Sequence, residues 1–365
     1  MRVLVAVNYA KSLFSFRREV IEGLVGAGHQ VVISAPEDEE VRRHFEGIGC
    51  RYAATEFDRL SKNPLKDLAL FRHYMAILRN EKIDVALSYT IKPNVYCGLA
   101  ARLCSVPCLS NITGLGNSIE NPGWLQKLTL ALYRVGTAKS ECVFFQNVHN
   151  RDFLVQNGFR FRKVHMLPGS GVNLLKFTLL SYPAESEPVR FLYIGRMLKD
   201  KGIDHLIEAA EIIKLDFPSV EFHLVGGCQE QQYLDILNEK ADKGIIFWHG
   251  EQSDVRKFIS RSACLVHPSY HEGMSNVCLE NAASGRPVIT TDVPGCRETV
   301  DDGVTGLLVR PRDTDDLVAK IRQFLSLTHE QRRQMGVCGR EKMEREFDRQ
   351  IVVKAYLDEL DNLKK

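Results

Sequence analysis

The run VHPSYHEGMSNVCLENAASGRPVITTD at residues 266–292 reads as one strand, loop, helix and strand. An apolar strand ends at Val266 and His267, and a polar loop carrying Glu272 and Gly273 leads to a helix that begins near Ser275 or Asn276. Gly285 stands where a left-handed cap is wanted, Pro287 cannot continue the helix, and Val288, Ile289 and Thr290 open the next strand. The chemistry of the unit lies in its loop and first helical turn. Gly273 lets backbone approach a ligand, and the amides of Ser275, Asn276 and Val277 are expected to be free, a start that favours an anion such as phosphate. Glu272 and Glu280 sit at an E-x7-E spacing, and carboxylates suit polyhydroxylated partners because each oxygen accepts hydrogen bonds. Taken alone, the same spacing also fits a solvated loop residue and a helix-surface charge.

A second stretch, VRFLYIGRMLKDKG at residues 189–202, reads as a buried strand ending at Gly195, followed by Arg196, a short loop, Lys201 and Gly202 before a helix over 203–214. Two permanent cations at the carboxyl end of a strand are suited to clamp a diphosphate. Outward from these stretches the chain alternates strand and helix twice. Apolar runs begin at Val3, Val31, Val85, Cys108, Val143 and Val164, and the pattern restarts at Phe191, Phe222, Ile245, Ala263, Val288 and Gly306. Such alternation predicts α/β architecture with two doubly wound parallel sheets. The segment LLSYPAESEPV, residues 179–189, has two prolines and no apolar period and reads as the linker.

GRMLKDKG together with PSYHEGMSNVCLENAASGRPVITTDVPGCRETVDDGVTGLLV resembles the carboxyl-terminal half of the family 4 glycosyltransferases. SYTIKPNVYCGLAARL (88–103) and NITGLG (111–116) are similar to the bacterial branch that builds capsular polysaccharide and extends undecaprenyl-diphosphate-linked glycans. The resemblance implies a GT-B fold, two Rossmann-like domains facing across a cleft. Residues 1–180 would then be the acceptor-binding domain and 181–345 the nucleotide-sugar-binding domain. Residues 346–365 would form a terminal helix crossing back to the first domain, or one packed on its own domain.

The resemblance also implies a retaining, metal-independent transferase needing no cofactor beyond a UDP-sugar donor. Arg196 and Lys201 would hold the diphosphate and Glu272 the transferred sugar. Gly195 and the backbone of Gly273, Met274, Ser275 and Asn276 would line the site, and Glu280 would take the ribose. The implied product is a hexose or N-acetylhexosamine, N-acetylgalactosamine in the nearest branch, joined α-1,3 to a polyprenyl-diphosphate-linked acetamido-sugar. A soluble acceptor, or nucleotide-sugar binding without catalysis, are the alternative readings.

On the acceptor side the loop NYAKSLFSFRREV lacks the paired glycines common in the family; Lys11, Ser12 and Arg17 stand there instead. Lys92, Asn94 and Thr113 are further candidates, and Ile112-Thr113-Gly114 occupies the place of the family's histidine, so no proton acceptor is named. Glu298 either faces the nucleotide or braces its own loop, and His249, His267 and His271 read as packing or surface residues. Residues 121–140 begin with a Pro-Gly break and carry Trp124, Leu125, Leu128, Leu132 and Val135 at helical spacing with Lys127, Arg134 and Lys139. Both a core helix and an interfacial helix have this make-up.

Composition bounds the remaining choices. The 365 residues suffice for two domains, and 44% apolar with 26% charged residues is globular usage. A net charge of +2 hides an asymmetry: residues 1–180 hold 23 Lys and Arg against 15 Asp and Glu, and the remainder hold 25 against 31. A basic first half suits an anionic membrane surface or a lipid diphosphate. No basic run interleaves with aromatics, which argues against nucleic acid. The ten cysteines form no C-x2-C pair, so no metal is expected and reduced thiols are the default. With no signal-peptide core and no long apolar span, the expected place is the cytoplasm, peripheral on the inner face of the membrane.

Overall fold

In the computed structural model, which describes residues 1–56, 63–115 and 123–364, the chain separates into two compact units. The first comprises Met1–Ser170 with the residues from Gln350 onward, and the second Gly171–Arg349. Among its described residues the first holds seven strands: β1 (Arg2–Ala6), β2 (Gln30–Ala35), β3 (Arg51–Ala54), β4 (Val85–Tyr89), β5 (Cys108–Ile112), β6 (Cys142–Phe145) and β7 (Val164–Met166). The second holds six: β8 (Arg190–Ile194), β9 (Glu221–Val225), β10 (Phe247–Trp248), β11 (Cys264–His267), β12 (Val288–Thr291) and β13 (Gly306–Val309).

Both sheets are wholly parallel and share one winding, β3-β2-β1-β4-β5-β6-β7 and β10-β9-β8-β11-β12-β13. The strand order reverses direction between β1 and β4 and again between β8 and β11, and doubly wound sheets bind ligands outside the carboxyl ends of strands at such a point. The central strands are apolar without alternation because helices cover both faces. Each residue of β4 and β5 is buried, and β8 exposes only its first residue partly.

Each unit has its own core. Val3, Val5, Ile33, Leu87 and Phe144 pack with Val352, Val353, Tyr356 and Leu360 of the terminal helix Arg349–Leu363. Tyr356 meets Phe144 at 4.8 Å and Tyr89 at 6.2 Å, and its hydroxyl donates to Asn111 Oδ1. The apolar stripe of the tail is divided. Phe347 belongs to a core cluster of the second unit, and Ile351 is exposed. No helix among the described residues is long and apolar enough to cross a membrane.

Two expectations need correction. The edge strand β3 carries no apolar run in the sequence, because RYAA is short and only half buried. Residues 179–189 are no free linker, since they are sewn to the second unit. Arg286, fully buried, donates through Nη2 to Ser181 O at 2.7 Å and through Nε to Ile259 O at 2.9 Å, and Tyr182 donates to Ala263 O at 2.9 Å. Gly116 of the NITGLG motif, and Asn121 and Pro122 before the Trp124 helix, lie outside the described residues.

Tyr356→Ala should cost the first unit about 3 kcal/mol or more, the range for removing a large buried ring. Hydrogen exchange resolved by peptide is the check. Protection should fall in β1, β4 and β5 while β8, β11 and β12 keep theirs, and an equal loss in both units would contradict the packing described.

Candidate active site

The site of the second unit is assembled from the loops that follow β8 and β11, the central pair of its sheet. The β8 strand delivers Gly195 and Arg196, and the chain then makes a short helical turn, Lys199–Lys201, closed by Gly202. Gly202 has φ +71°, and a Cβ there would stand 2.1 Å from Pro268 O, so only glycine lets this turn lie against the β11 loop. Tyr270 N–H donates to Asp200 O at 2.9 Å and adds a second tie between the loops.

That approach places Lys201 Nζ 2.6 Å from Glu272 Oε1, joining residues 71 positions apart. The same carboxylate oxygen lies 3.2 Å from His267 Nε2 at the end of β11. Burial works to raise the Glu272 carboxyl, but the His267 hydrogen bond and the Lys201 charge outweigh it and hold it down to about 2. Burial likewise opposes charge on His267, while the Cys278 sulfur and the Glu272 carboxylate favour it, leaving its pKa raised. The imidazole is 2% exposed, stacks 6.2 Å from Tyr193, and keeps a buried Nδ1 with no partner among the described residues. Tyr193 in turn donates to the carbonyl of Arg196 at 2.9 Å. Arg196 itself is exposed, and among the described residues no carboxylate holds its guanidinium.

The helix Asn276–Ala283 is capped by Ser275, whose Oγ accepts from Cys278 N–H at 3.4 Å. The Ser275 amide, expected to be free, instead donates to Gly295 O at 2.7 Å, because the loop after β12 folds over the helix start. The amides of Asn276 and Val277 remain open among the described residues, two donors at the positive end of the helix. Met274 is buried in the core beside Leu192 and Ile194, so only its backbone can face a ligand. Gly273 stands beside Glu272 in the same loop.

Glu280 lies one turn inside the helix, and among the described residues no cation is in contact with it. Burial lifts its carboxyl to about 7, the charges of Lys176 and Arg349 pulling weakly the other way. A carboxylate desolvated and left without a partner is suited to vicinal hydroxyl donors. Glu298 accepts from Gly295 N–H at 2.7 Å and thus braces its own loop. His249 lies away from Glu272, hydrogen-bonded at 2.9 Å to His223. Sequence reasoning missed His267 as the partner of Glu272; a histidine at a strand end five residues before the glutamate was the available signal.

The acceptor candidates of the first unit divide sharply. Asn94 is fully buried and its amide is spent inside the unit, accepting from Ser88 Oγ at 2.7 Å and donating to Asn111 O and Tyr133 Oη, each at 2.8 Å. Arg17, 5% exposed, lies 4.2 Å over the Tyr89 ring and donates to Ser170 Oγ at 2.9 Å. Asn94 is structural, because the unit already occupies its amide, and Arg17 is held inside the unit by Tyr89 and Ser170. Lys92 pairs with Asp67 at 2.9 Å. Lys11 is exposed, Ser12 donates to Tyr9 O, and Thr113 lies partly exposed just beyond β5. Sequence reasoning also passed over Thr90, which leaves β4 at φ +70°, a conformation a β-branched residue adopts at a cost of about 1–3 kcal/mol.

Residues 181–342 match the family described as glycosyl transferases group 1, and residues 16–169 match the glycosyl transferase 4-like domain. Along its whole length the chain is 26% identical to the N,N'-diacetylbacillosaminyl-diphospho-undecaprenol alpha-1,3-N-acetylgalactosaminyltransferase of Campylobacter jejuni, covering 99% of that protein. Among solved structures, HepE of Anabaena in complex with UDP and glucose superposes with a TM-score of 0.80 at 16% identity, over 99% of this chain and all of that one. The sucrose-phosphate synthase of Thermosynechococcus elongatus does so with 0.79 at 20%, over 100% of this chain and 99% of that one. These likenesses establish the two-domain GT-B fold.

Glu280 makes stability depend on pH in a definite direction. Its folded pKa lies above the ordinary carboxyl value, so the stability it allows is full below that value and is lost as pH rises through about 7. Glu280→Gln should therefore be more stable than the parent at pH 8, by about 3 kcal/mol, and show no such gain at pH 4. Urea unfolding at the two pH values measures this, and an equal offset at both would refute the assignment.

Proposed function

We propose that the chain is a family 4 glycosyltransferase, its two halves matching the glycosyl transferases group 1 and glycosyl transferase 4-like models, and a retaining enzyme that moves an N-acetylhexosamine, or a hexose, from a UDP-sugar to an undecaprenyl-diphosphate-linked saccharide. The observation that carries the donor half is the cluster at the β8–β11 switch point. An exposed Arg196, the Lys201–Glu272–His267 set, the amides of Asn276 and Val277 open among the described residues, and Glu280 one turn along the same helix make it up. The acceptor half rests on the full-length likeness to the undecaprenol-linked transferase.

In this reading the donor diphosphate takes Arg196, Lys201 and the two amides, and the ribose hydroxyls donate to Glu280. Lys201 is paired with Glu272 at 2.6 Å, so an arriving diphosphate competes for it. His267 keeps the Glu272 carboxylate ionised and oriented when Lys201 turns to phosphate, leaving an acceptor for hydroxyls of the transferred sugar. Transfer breaks the bond between the anomeric carbon and the β-phosphate oxygen, whose electron pair leaves with UDP. The acceptor hydroxyl oxygen bonds to the same face of that carbon, and its proton passes to a β-phosphate oxygen of the departing UDP. Fixed cations and helix amides stabilise the charge that develops there, with no metal or other cofactor required.

Purified protein with UDP- and GDP-sugars and a short-chain polyprenyl-diphosphate acetamido-sugar, assayed in EDTA, provides the test. UDP release from a UDP-N-acetylhexosamine should depend on the acceptor. Release only with free saccharides would move the assignment to a soluble acceptor, and UDP-sugar binding with neither transfer nor hydrolysis would remove catalysis. Arg196→Ala, Lys201→Ala and Glu272→Ala should each lower turnover by about 100-fold or more, the range for losing one transition-state contact. Lys201→Ala should also lower the unfolding midpoint, because it leaves the Glu272 carboxylate without its cation, so circular dichroism checks that each variant is folded. Parent-like turnover by folded variants would refute the site.

A further inference from the structure

The helix Trp124–Thr137 is seated in the first unit by one side only. Leu130 and Tyr133 pack with Val143 and Phe145, and Tyr133 Oη takes the Asn94 amide. On the other side Trp124 is 74% exposed, Leu128 48%, Leu132 40% and Val135 47%. Their spacing puts them on one stripe. Scattered apolar side chains are ordinary on a surface, but four in a row along one helix, with nothing packed on them among the described residues, form a patch that calls for a partner.

The charge around the stripe identifies that partner. From Gly123 to Ser140 the chain has no Asp or Glu, and Lys127, Arg134 and Lys139 are its only charges. Arg134 is kept at the flank by its bond to Asn157 O and by the Phe159 ring at 5.3 Å. At the carboxyl end Lys139 joins Arg102 and Arg162 around a cavity of about 640 Å³ that Ser105 and Ser140 also line. Glu141 engages Arg162, while Arg102 and Lys139 have no acid in contact among the described residues. Two copies pressed together along this stripe would set like charges against each other. An anionic lipid surface offers what the face lacks, hydrocarbon for the stripe and phosphate for its rim, and tryptophan is favoured at that boundary.

We propose that this face is the membrane-docking surface of the protein. The stripe from Trp124 to Val135 enters the headgroup region of an anionic phospholipid leaflet, and Lys127, Arg134, Lys139 and Arg102 meet its phosphates. The inference rests on the lipid-linked acceptor reading for its purpose, because an enzyme serving such an acceptor must work at the leaflet that holds it.

Flotation of the full chain with vesicles of phosphatidylcholine plus phosphatidylglycerol, and with phosphatidylcholine alone, decides the matter. The parent should float with the anionic vesicles, lose binding as salt is raised, and bind the neutral ones far less. Leu128→Glu with Leu132→Glu should weaken the partition about tenfold or more. Leu215→Glu, at an 82% exposed leucine of the second unit, should leave it unchanged. Circular dichroism and UDP release with a detergent-dispersed short-chain acceptor report whether the double variant folds and works as the parent does. Parent-like flotation by a folded double variant overturns the proposal. So does a parent that ignores both vesicles and sediments as a dimer that the double variant breaks, which would make a second copy the occupant. Helix-dependent flotation without transfer to any lipid-linked saccharide would uphold the face and defeat the acceptor reading.

Discussion

A carboxylate drawn largely out of water is tolerable only where cations and donors replace the solvent it has lost, and Glu272 has both in Lys201 and His267. The site of the second unit depends on that exchange. Its three members come from different places: Lys201 from the turn after β8, His267 from the last position of β11, Glu272 from the loop beyond it. Each loop is held by something other than the charges. Gly202 admits Pro268, Tyr270 binds the carbonyl of Asp200, and Tyr193 carries both the His267 ring and the Arg196 carbonyl. The ion pair therefore closes a frame already built and does not have to create it.

Glu272 and Glu280 show how one residue type acquires two states from its surroundings. Both are shielded from water and both feel burial as the largest influence. Glu272 has a hydrogen-bonding imidazole and an ammonium in contact and stays ionised, whereas Glu280 has only more distant cations and sits near neutrality at about 7. A diol arriving at Glu280 would supply the donors that Glu272 already has. Part of the binding energy of such a ligand would then offset the cost of ionising Glu280.

The first unit spends its polar residues differently. Ser88, Asn94, Asn111 and Tyr133 form a connected buried network, extended by Tyr356 from the far end of the chain. Its members satisfy one another, and this fixes the terminal helix in the unit's core, while the far side of the Trp124 helix has nothing packed on it among the described residues. Side chains placed beside a strand end are commonly read as ligand contacts; here the interior claimed Asn94 and Arg17 first.

The alternating order of apolar runs was enough to reveal two parallel sheets, because strands covered on both faces need no polar alternation and punctuation by Gly and Pro marks their ends. Gly285 is an instance: the turn after Ala283 needs a positive φ, and the structure has +75° there. The E-x7-E spacing and the Arg196–Lys201 pair were legible for the same reason, since local helical and loop geometry alone sets which residues stand at a strand's carboxyl end. Tertiary packing decided the rest. That Lys201 touches Glu272, that His267 completes the pair, that Gly295 takes the Ser275 amide and that Arg286 binds residues 180 and 181 all join positions whose spacing in sequence carries no period. Buried hydrogen-bonding groups must find partners wherever the fold brings them, and those partners are set by the approach of loops in space, which no local pattern encodes.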